Sequence, residues 1–197
     1  MDVVCTIKAL FERRGASIFN GEGFERMERV SVLEHALQCA QLAEWADADN
    51  TLVAAALLHD LGHLLDGGTY ASVHQDQYQY QARTLVLLAS GGFGKAVLEP
   101  IRLHVQAKRY LELSDERCAE GLSDASQYSL SLQGGRMNAA ERLHFMAQPH
   151  ASQALQLRRW DDLAKHPGKR TPSLAYYLNL LDDVLRETRQ PTRVAMA

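Results

Sequence analysis

Cysteine is scarce in this chain, and its three cysteines lie far apart in the sequence, at Cys5, Cys39 and Cys118. An odd number of dispersed cysteines fits neither a disulfide framework nor a thiolate site for structural zinc. The pattern is typical of a protein in a reducing compartment, so we expect a cytoplasmic location.

Long apolar runs are missing as well. The longest, LVAAALL from Leu52 to Leu58, is far shorter than the roughly 20 residues that cross a bilayer as a helix. The N-terminal segment carries an acidic residue and two arginines where a signal peptide needs an apolar stretch. These absences predict a soluble, unprocessed protein.

Neither sign of charge is in large excess, since the formal net charge is -3 and the sequence pI is near 6.2. This balance argues against a surface built for nucleic acid or for an acidic membrane, and a nucleic-acid role would need a local basic patch. A chain of 197 residues, 46% of them hydrophobic, can bury a core without disulfides. We expect one domain over residues 1–197 and leave its oligomeric state open.

Apolar residues recur at helical spacing through most of the chain, and no segment of any length alternates as a strand would. Ser31 and Glu34 form a capping box at the start of one predicted helix. Pro100 is expected to kink or break another. The fold class is therefore predicted to be all-α, with helices at about 31–46, 51–65, 75–89, 94–113, 139–146, 152–164 and 173–187.

The pair His59-Asp60 lies in the most apolar predicted helix, which belongs at the centre of a domain. A carboxylate buried there must be paired or must coordinate a cation. For an isolated pair, a histidine bonded to a backbone carbonyl and an aspartate paired with an arginine is the commoner arrangement. Three further residues on other predicted helices, His35, His104 and Asp161, reverse that preference, because several helices can deliver ligands to one point. Imidazole and carboxylate groups suit iron, manganese or zinc.

Two cations accompany these ligands. Lys108 lies one turn after His104, and Arg158 lies three residues before Asp161, so each shares a helical face with its ligand. Phosphate and phosphonate groups bind Arg forks and Lys ammonium groups. Together the cations predict an anion site beside the metal, whereas either one alone also fits a solvated helix face.

Longer strings around these residues resemble a known family. The order H, HD and D with ALLHDLGHLL resembles the HD-domain superfamily. The strings VSVLEHALQCAQLAE, EPIRLHVQAKRYL, SLSLQGGRM and LRRWDDLAK resemble its phosphonate-degrading branch of oxygenases, and they cover most of residues 29–165. The resemblance implies a di-iron oxygenase that uses dioxygen (O2) as co-substrate. Such an enzyme oxidises the carbon next to phosphorus in a small organophosphonate and cleaves the C–P bond, which releases phosphate.

The resemblance also implies individual roles. It implies that Asp60 bridges both iron ions, that His104 ligates the second ion, and that His35, His59 and Asp161 complete the ligands. Glu28 matches a family glutamate that closes over the site. The remaining implied substrate contacts are His63, Ser126, Ser129 and Gln133, beside Lys108 and Arg158. His63 fits a helix cap equally well.

The chain departs from the family in two places. A family histidine that ligates the second metal is replaced by Gln77 or Gln81, depending on the alignment. His74 shares a helical face with both glutamines and either replaces that ligand or lies at the surface, in which case the second site is weak or empty. Glu25 stands where the family has tyrosine. With Glu28, it favours a substrate that carries an amino or ammonium group.

Two other functions use the same residues. An HD phosphohydrolase attacks a phosphoester with a metal-bound water, and a degenerate HD domain binds a phosphate or phosphonate ligand without turnover. Dependence on dioxygen separates the oxygenase from the hydrolase, and metal content separates it from the binding domain. The remaining histidines, His144, His150 and His166, match no motif and are predicted to lie at the surface.

Overall fold

The computed structural model describes residues 2–18, 30–65, 77–111 and 135–189. Helices α1 to α4 span Val3–Arg14, Val32–Trp45, Asn50–Leu58 and Gln77–Ser90, with a short 3-10 helix, Leu61–Leu64, between the last two. Helices α5 to α8 span Lys95–Leu111, Ala139–Met146, Ala151–Leu163 and Leu174–Arg189. Within these ranges the only β-type pairing is an isolated bridge between Ile18 and Ser31. The predicted all-α class is confirmed, and no helix in the described ranges is long and apolar enough to cross a membrane.

Helix α3 lies at the centre of the described fold. Every residue from Leu52 to Leu58 is buried, and α3 packs against α2, α5, α7 and α8. The Asp49 carboxylate caps its first turn by accepting hydrogen bonds from the backbone N–H groups of Thr51 and Leu52. A helix that is apolar on all sides is stable only when other helices surround it, so its sequence dictates this position.

Helix α3 ends earlier than predicted. A single helix through residue 65 was expected, but α3 stops at Leu58, and His59 and Asp60 form a turn before the 3-10 helix. Asp60 has φ -101° and ψ 10°, in the bridge region beside the helical one. The physical reason is tertiary: helix α4 lies against this turn at Gly62, where an added Cβ would stand 2.2 Å from the carbonyl oxygen of Tyr80.

Helix α1 is absent from the helices predicted from the sequence, although a signal for it exists. The Asp2 carboxylate caps it by accepting from the Val4 N–H over 3.0 Å. Its buried face includes Val3, Ile7 and Phe11, which recur at a spacing of four residues. The other predicted helices are confirmed, with shifts of at most two residues at the ends that fall within the described residues, and α5 continues through Pro100. The predicted ends at residues 75 and 113 lie outside those residues.

Candidate metal centre

The five predicted metal ligands come together where α2, α5, α7 and the turn after α3 meet. Helix α2 supplies His35, α5 supplies His104 and α7 supplies Asp161, while the turn supplies His59 and Asp60. Both His35 and His59 are buried, and the other three are partly buried. The early end of α3 therefore places the His-Asp pair in a turn that faces three helices.

Donor atoms of His35, His59, Asp60 and Asp161 all lie within 4.8 Å of one another. The Oδ1 atom of Asp161 is 3.2 Å from the Nε2 atom of His35 and 4.0 Å from that of His59. The Oδ2 atom of Asp60 is 3.8 Å and 3.5 Å from the same two nitrogens. Two imidazole nitrogens and two carboxylate oxygens in this arrangement are a suitable ligand set for one divalent ion.

Backbone carbonyls orient the two buried histidines. The Nδ1–H of His35 donates to the carbonyl oxygen of Ala164, and the Nδ1–H of His59 donates to that of Ala56, each over 2.9 Å. In His59, a proton on Nδ1 leaves the lone pair of the neutral ring on Nε2, the atom that faces the carboxylates. Burial lowers the pKa of His59, which favours the neutral ring.

The ring nitrogens also provide a test of whether a metal fits. Among the described residues, His59 Nε2 and His104 Nδ1 are buried without a hydrogen-bond partner. Buried polar atoms are rarely left unpaired. The His59 nitrogen lies beside two carboxylates, so a divalent cation there would satisfy it and offset their charge. The residues present therefore fit a metal ion.

Asp161 links this cluster to another imidazole and to a cation. Its Oδ2 atom is 3.1 Å from His104 Nε2 and accepts from Arg158 Nη1 over 2.6 Å. Burial raises the pKa of Asp161, but the Arg158 guanidinium and the His104 and His35 rings outweigh it and hold that pKa well below its usual range. Asp161 is consequently anionic at neutral pH, which is the state that ligates metals.

His104 lies at the edge of the cluster, with its ring centroid 5.1 Å from that of His59. His74, the predicted replacement for the family histidine that this chain lacks, lies outside the described residues, and so does the side chain of Gln77. Gln81 is described, and its Nε2 donates to the carbonyl oxygen of Ile101 over 2.5 Å. Its amide nitrogen is thus engaged with the backbone of α5.

Two of the described residues predicted to bind the substrate, Arg158 and His63, lie against carboxylates of the same cluster. Arg158 pairs with both Asp161 and Asp162 on its own helix. Lys108 lies one turn beyond His104 and is partly buried. The His63 ring stacks on Tyr80 with centroids 4.7 Å apart, and its Nε2 is 3.9 Å from Asp60 Oδ1. The other predicted contacts, Glu25, Glu28, Ser126, Ser129 and Gln133, lie outside the described residues.

Cys39 belongs to the cluster but was not predicted to do so. Its Sγ atom is buried on α2 and lies 3.5 Å from His35 Nε2. The donor atoms of His35, Cys39 and His59 lie within 4.8 Å of one another. The spacing of four residues between His35 and Cys39 is the signal that places both on one helical face. Burial raises the pKa of the Cys39 thiol.

Side chains of α2 also hold the segment that follows Asp161. The Gln38 amide donates to the carbonyl of His166 over 2.9 Å and accepts from the His166 N–H over 3.1 Å. Glu34 accepts from the Gly168 N–H at 3.3 Å. Together with the bond from His35 to Ala164, these contacts fix the distance between α2 and the end of α7. The side chain of His166 is exposed, as predicted.

Comparison with known proteins places the chain in a family. The sequence model of the HD domain matches residues 32–116. Hydroxymethylphosphonate dioxygenase from Gimesia maris is 39% identical over 191 residues, which is 94% of this chain and 89% of the relative. A 1-hydroxy-2-(trimethylamino)ethylphosphonate dioxygenase from Leisingera caerulea, described as glycine-betaine-forming, is 31% identical over 176 residues, 89% of this chain and 87% of the relative.

An uncharacterised protein of Acanthamoeba polyphaga mimivirus is also similar, with 34% identity over 189 residues, 94% of this chain and 83% of the relative. The predicted resemblance is thus confirmed along nearly the whole chain and not only around the HD pair. The chain belongs to the HD-domain family, among the relatives that include these phosphonate dioxygenases.

Proposed function

We propose that this chain is an iron-dependent HD-domain dioxygenase that cleaves the C–P bond of a small organophosphonate and releases phosphate. The observation that carries the proposal is the convergence of His35, His59, Asp60 and Asp161 within 4.8 Å, with Arg158 bound to one of the carboxylates. Both named relatives are dioxygenases of phosphonates with a hydroxyl group on the carbon next to phosphorus. A 1-hydroxyphosphonate is therefore the proposed substrate class.

Two iron ions are proposed to bind at the cluster. His35, His59, Asp60 and Asp161 would hold the first, and Asp60 and His104 would be among the ligands of the second. His74 is the candidate to replace the family histidine that is a glutamine in this chain. Iron bound there would supply the redox chemistry that activates dioxygen and oxidises the carbon next to phosphorus.

The protein's own groups bind and orient the substrate in this proposal. Arg158 and Lys108 offer cationic donors on the two helices that carry Asp161 and His104, so the phosphonate group would lie between α7 and α5. His63 lies beside the Asp60 carboxylate, with its Nε2 atom 3.9 Å from Asp60 Oδ1, and is proposed to contact the substrate hydroxyl. Glu28, Ser126, Ser129 and Gln133 are proposed to complete the contacts and to exclude water.

The overall reaction balances with dioxygen as the only oxidant. For hydroxymethylphosphonate, one C–P bond breaks and dioxygen is consumed, giving formate, hydrogen phosphate and one proton. Carbon is oxidised from the alcohol to the carboxylate level, while both atoms of dioxygen are reduced and enter the products. Since no external reductant is required, phosphate release should equal dioxygen consumption.

The test uses protein purified from iron-supplied cells, with metal content, electron paramagnetic resonance, and phosphate release measured on hydroxymethylphosphonate. We expect a mixed-valence di-iron signal, one phosphate per dioxygen consumed, and no turnover without dioxygen. His35→Ala should lose bound iron and activity. Hydrolysis of phosphomonoesters without dioxygen would instead establish a hydrolase. Less than one tightly bound transition metal per chain would establish a binding domain.

A further inference from the structure

The thiol of Cys39 adds sulfur to a cluster otherwise composed of nitrogen and oxygen donors. Cys39 is completely buried on α2, and its Sγ atom lies 3.5 Å from His35 Nε2. The carboxylates of Asp60 and Asp161 also lie within reach of this imidazole, at 3.8 Å and 3.2 Å. One imidazole therefore faces both a soft donor and hard donors.

We propose that His35, Cys39 and His59 form a second, softer ligand set that binds thiophilic divalent ions such as Zn2+ and Cd2+ in competition with iron. The inference rests on the metal site of the proposed function but not on the reaction catalysed there. Its three donor atoms lie within 4.8 Å of one another, and all three residues are buried. Thiolate and imidazole are the ligands that zinc prefers in proteins.

The buried nitrogen of His59 points to a ligand at the two histidines that both ligand sets share. His59 Nε2 has no hydrogen-bond partner, and its side chain is 1% exposed. Its Nδ1–H is engaged with Ala56, so the lone pair lies on Nε2. The soft set therefore includes a buried imidazole whose lone pair is available to a metal ion.

Binding to this set changes the protonation of the thiol. Before binding, the Cys39 Sγ atom lies 3.5 Å from the Nε2 atom of His35, and the same nitrogen also faces Asp161. As an ion enters, the thiol proton and any proton on His35 Nε2 leave to solvent, and sulfur and both nitrogens bind the ion. One proton is released from Cys39 for each ion bound, and no atom changes oxidation state.

Competition follows because both ligand sets use the same two histidines. Carboxylate oxygens of Asp60 and Asp161 suit harder ions, whereas thiolate selects softer ones. An ion bound through Cys39 would take His35 and His59 from the iron site. Zinc has no redox chemistry, so zinc bound in this way would inhibit the oxygenase.

The experiment starts from a Cys5→Ser/Cys118→Ser protein, in which Cys39 is the only remaining cysteine. Cd2+ is titrated in, and thiolate-to-metal charge transfer is followed by ultraviolet absorption. We expect a saturable band at one Cd2+ per chain. Adding Cys39→Ser or Cys39→Ala should abolish the band and weaken Cd2+ binding by more than about 10-fold, because loss of even an outer contact of a metal site costs about that much.

Asp60→Asn in the same background separates the two ligand sets. It should weaken Fe2+ binding but retain the Cd2+ band, because the soft set does not include Asp60. Circular dichroism checks that each variant is folded. Absence of the band in the Cys5→Ser/Cys118→Ser protein would overturn the inference. This measurement does not require any substitution at Cys39.

Cd2+ binding that stays equally tight without the thiol would overturn it as well. If Cd2+ does not bind through Cys39 but the protein still releases phosphate with iron and dioxygen, the proposed function stands. Conversely, a Cd2+ band in a protein with no oxygenase activity would support the soft set and count against the proposed reaction.

Discussion

The Nδ1–H of His35 donates to the carbonyl oxygen of Ala164 over 2.9 Å, while the Nε2 atom of the same ring lies 3.2 Å from Asp161 Oδ1. Ala164 follows Asp161 by three residues at the end of α7. This single imidazole therefore joins α2 to the end of α7 through one nitrogen and faces the candidate metal site with the other. Metal affinity should depend on how firmly this segment is held.

Gln38→Ala tests that dependence. The change removes both amide contacts with the backbone of His166 and leaves partly buried groups unpaired. We expect the free energy of unfolding to fall by about 1–3 kcal/mol and Fe2+ affinity to fall by about 10- to 100-fold, as loss of an outer contact of a metal site does. Isothermal titration and urea unfolding measure the two effects. Gln156→Ala, at an exposed position on α7, is the control. Unchanged Fe2+ affinity in Gln38→Ala would contradict this role.

Gly62→Ala should displace the turn that carries His59 and Asp60. The new methyl group would stand 2.2 Å from the Tyr80 carbonyl oxygen and 2.7 Å from Thr84 Oγ1, so α4 would have to move. We expect a loss of about 1–3 kcal/mol in stability from overpacking, together with reduced iron content. Thermal unfolding and metal analysis provide the readouts.

Gly94→Ala is the matched control for this substitution. A methyl group there meets its nearest neighbour, Thr188 Cγ2, at 3.4 Å. Its iron content should equal that of the unchanged protein. If Gly62→Ala retained full stability and iron content, the close approach of α4 would not be what shapes the turn.

Arg158→Ala should weaken both the metal site and substrate binding. Without the guanidinium, the pKa of Asp161 rises because its anion loses the strongest of its stabilising neighbours. We expect kcat/KM for a phosphonate to fall by about 10- to 100-fold, the usual effect of losing a group that supports a metal ligand. Arg158→Lys should recover only part, since an ammonium group cannot bind two carboxylates as a planar fork. Arg159→Ala, at the exposed neighbouring position, should have no effect.

Metal binding should stabilise the fold by mass action. An ion that binds only the native state adds about 2.7 kcal/mol at a concentration of 100 times its Kd. For a chain of this size, this corresponds to a rise in Tm of about 5–11 °C. Differential scanning fluorimetry with Fe2+ or Mn2+, reversed by a chelator, measures the shift. His59→Ala should lose most of the rise in Tm. A full rise in that variant would show that His59 is not a metal ligand.

Much of the fold could be predicted from the sequence because the deciding signals are local. Apolar residues at helical spacing, the Ser31–Glu34 capping box and the continuous apolar surface of α3 act within a few residues of one another. Helix α1 carries the same signals in Asp2, Val3 and Ile7, and could have been predicted on the same grounds. The metal ligands were predictable as residue types, because buried histidines and aspartates need partners.

The sequence by itself determined the helical class, the central position of α3 and the chemical nature of the ligands. Tertiary structure alone decided that α3 ends before His59. The contact of Gly62 with α4 joins two separate segments, so the spacing of apolar residues within either segment does not reveal it. Tertiary structure also decided the bond between Gln38 and His166, which joins residues 128 positions apart. The proximity of Cys39 to His59 has the same origin, because the distance between two helices depends on how their side chains pack and not on the spacing within either one.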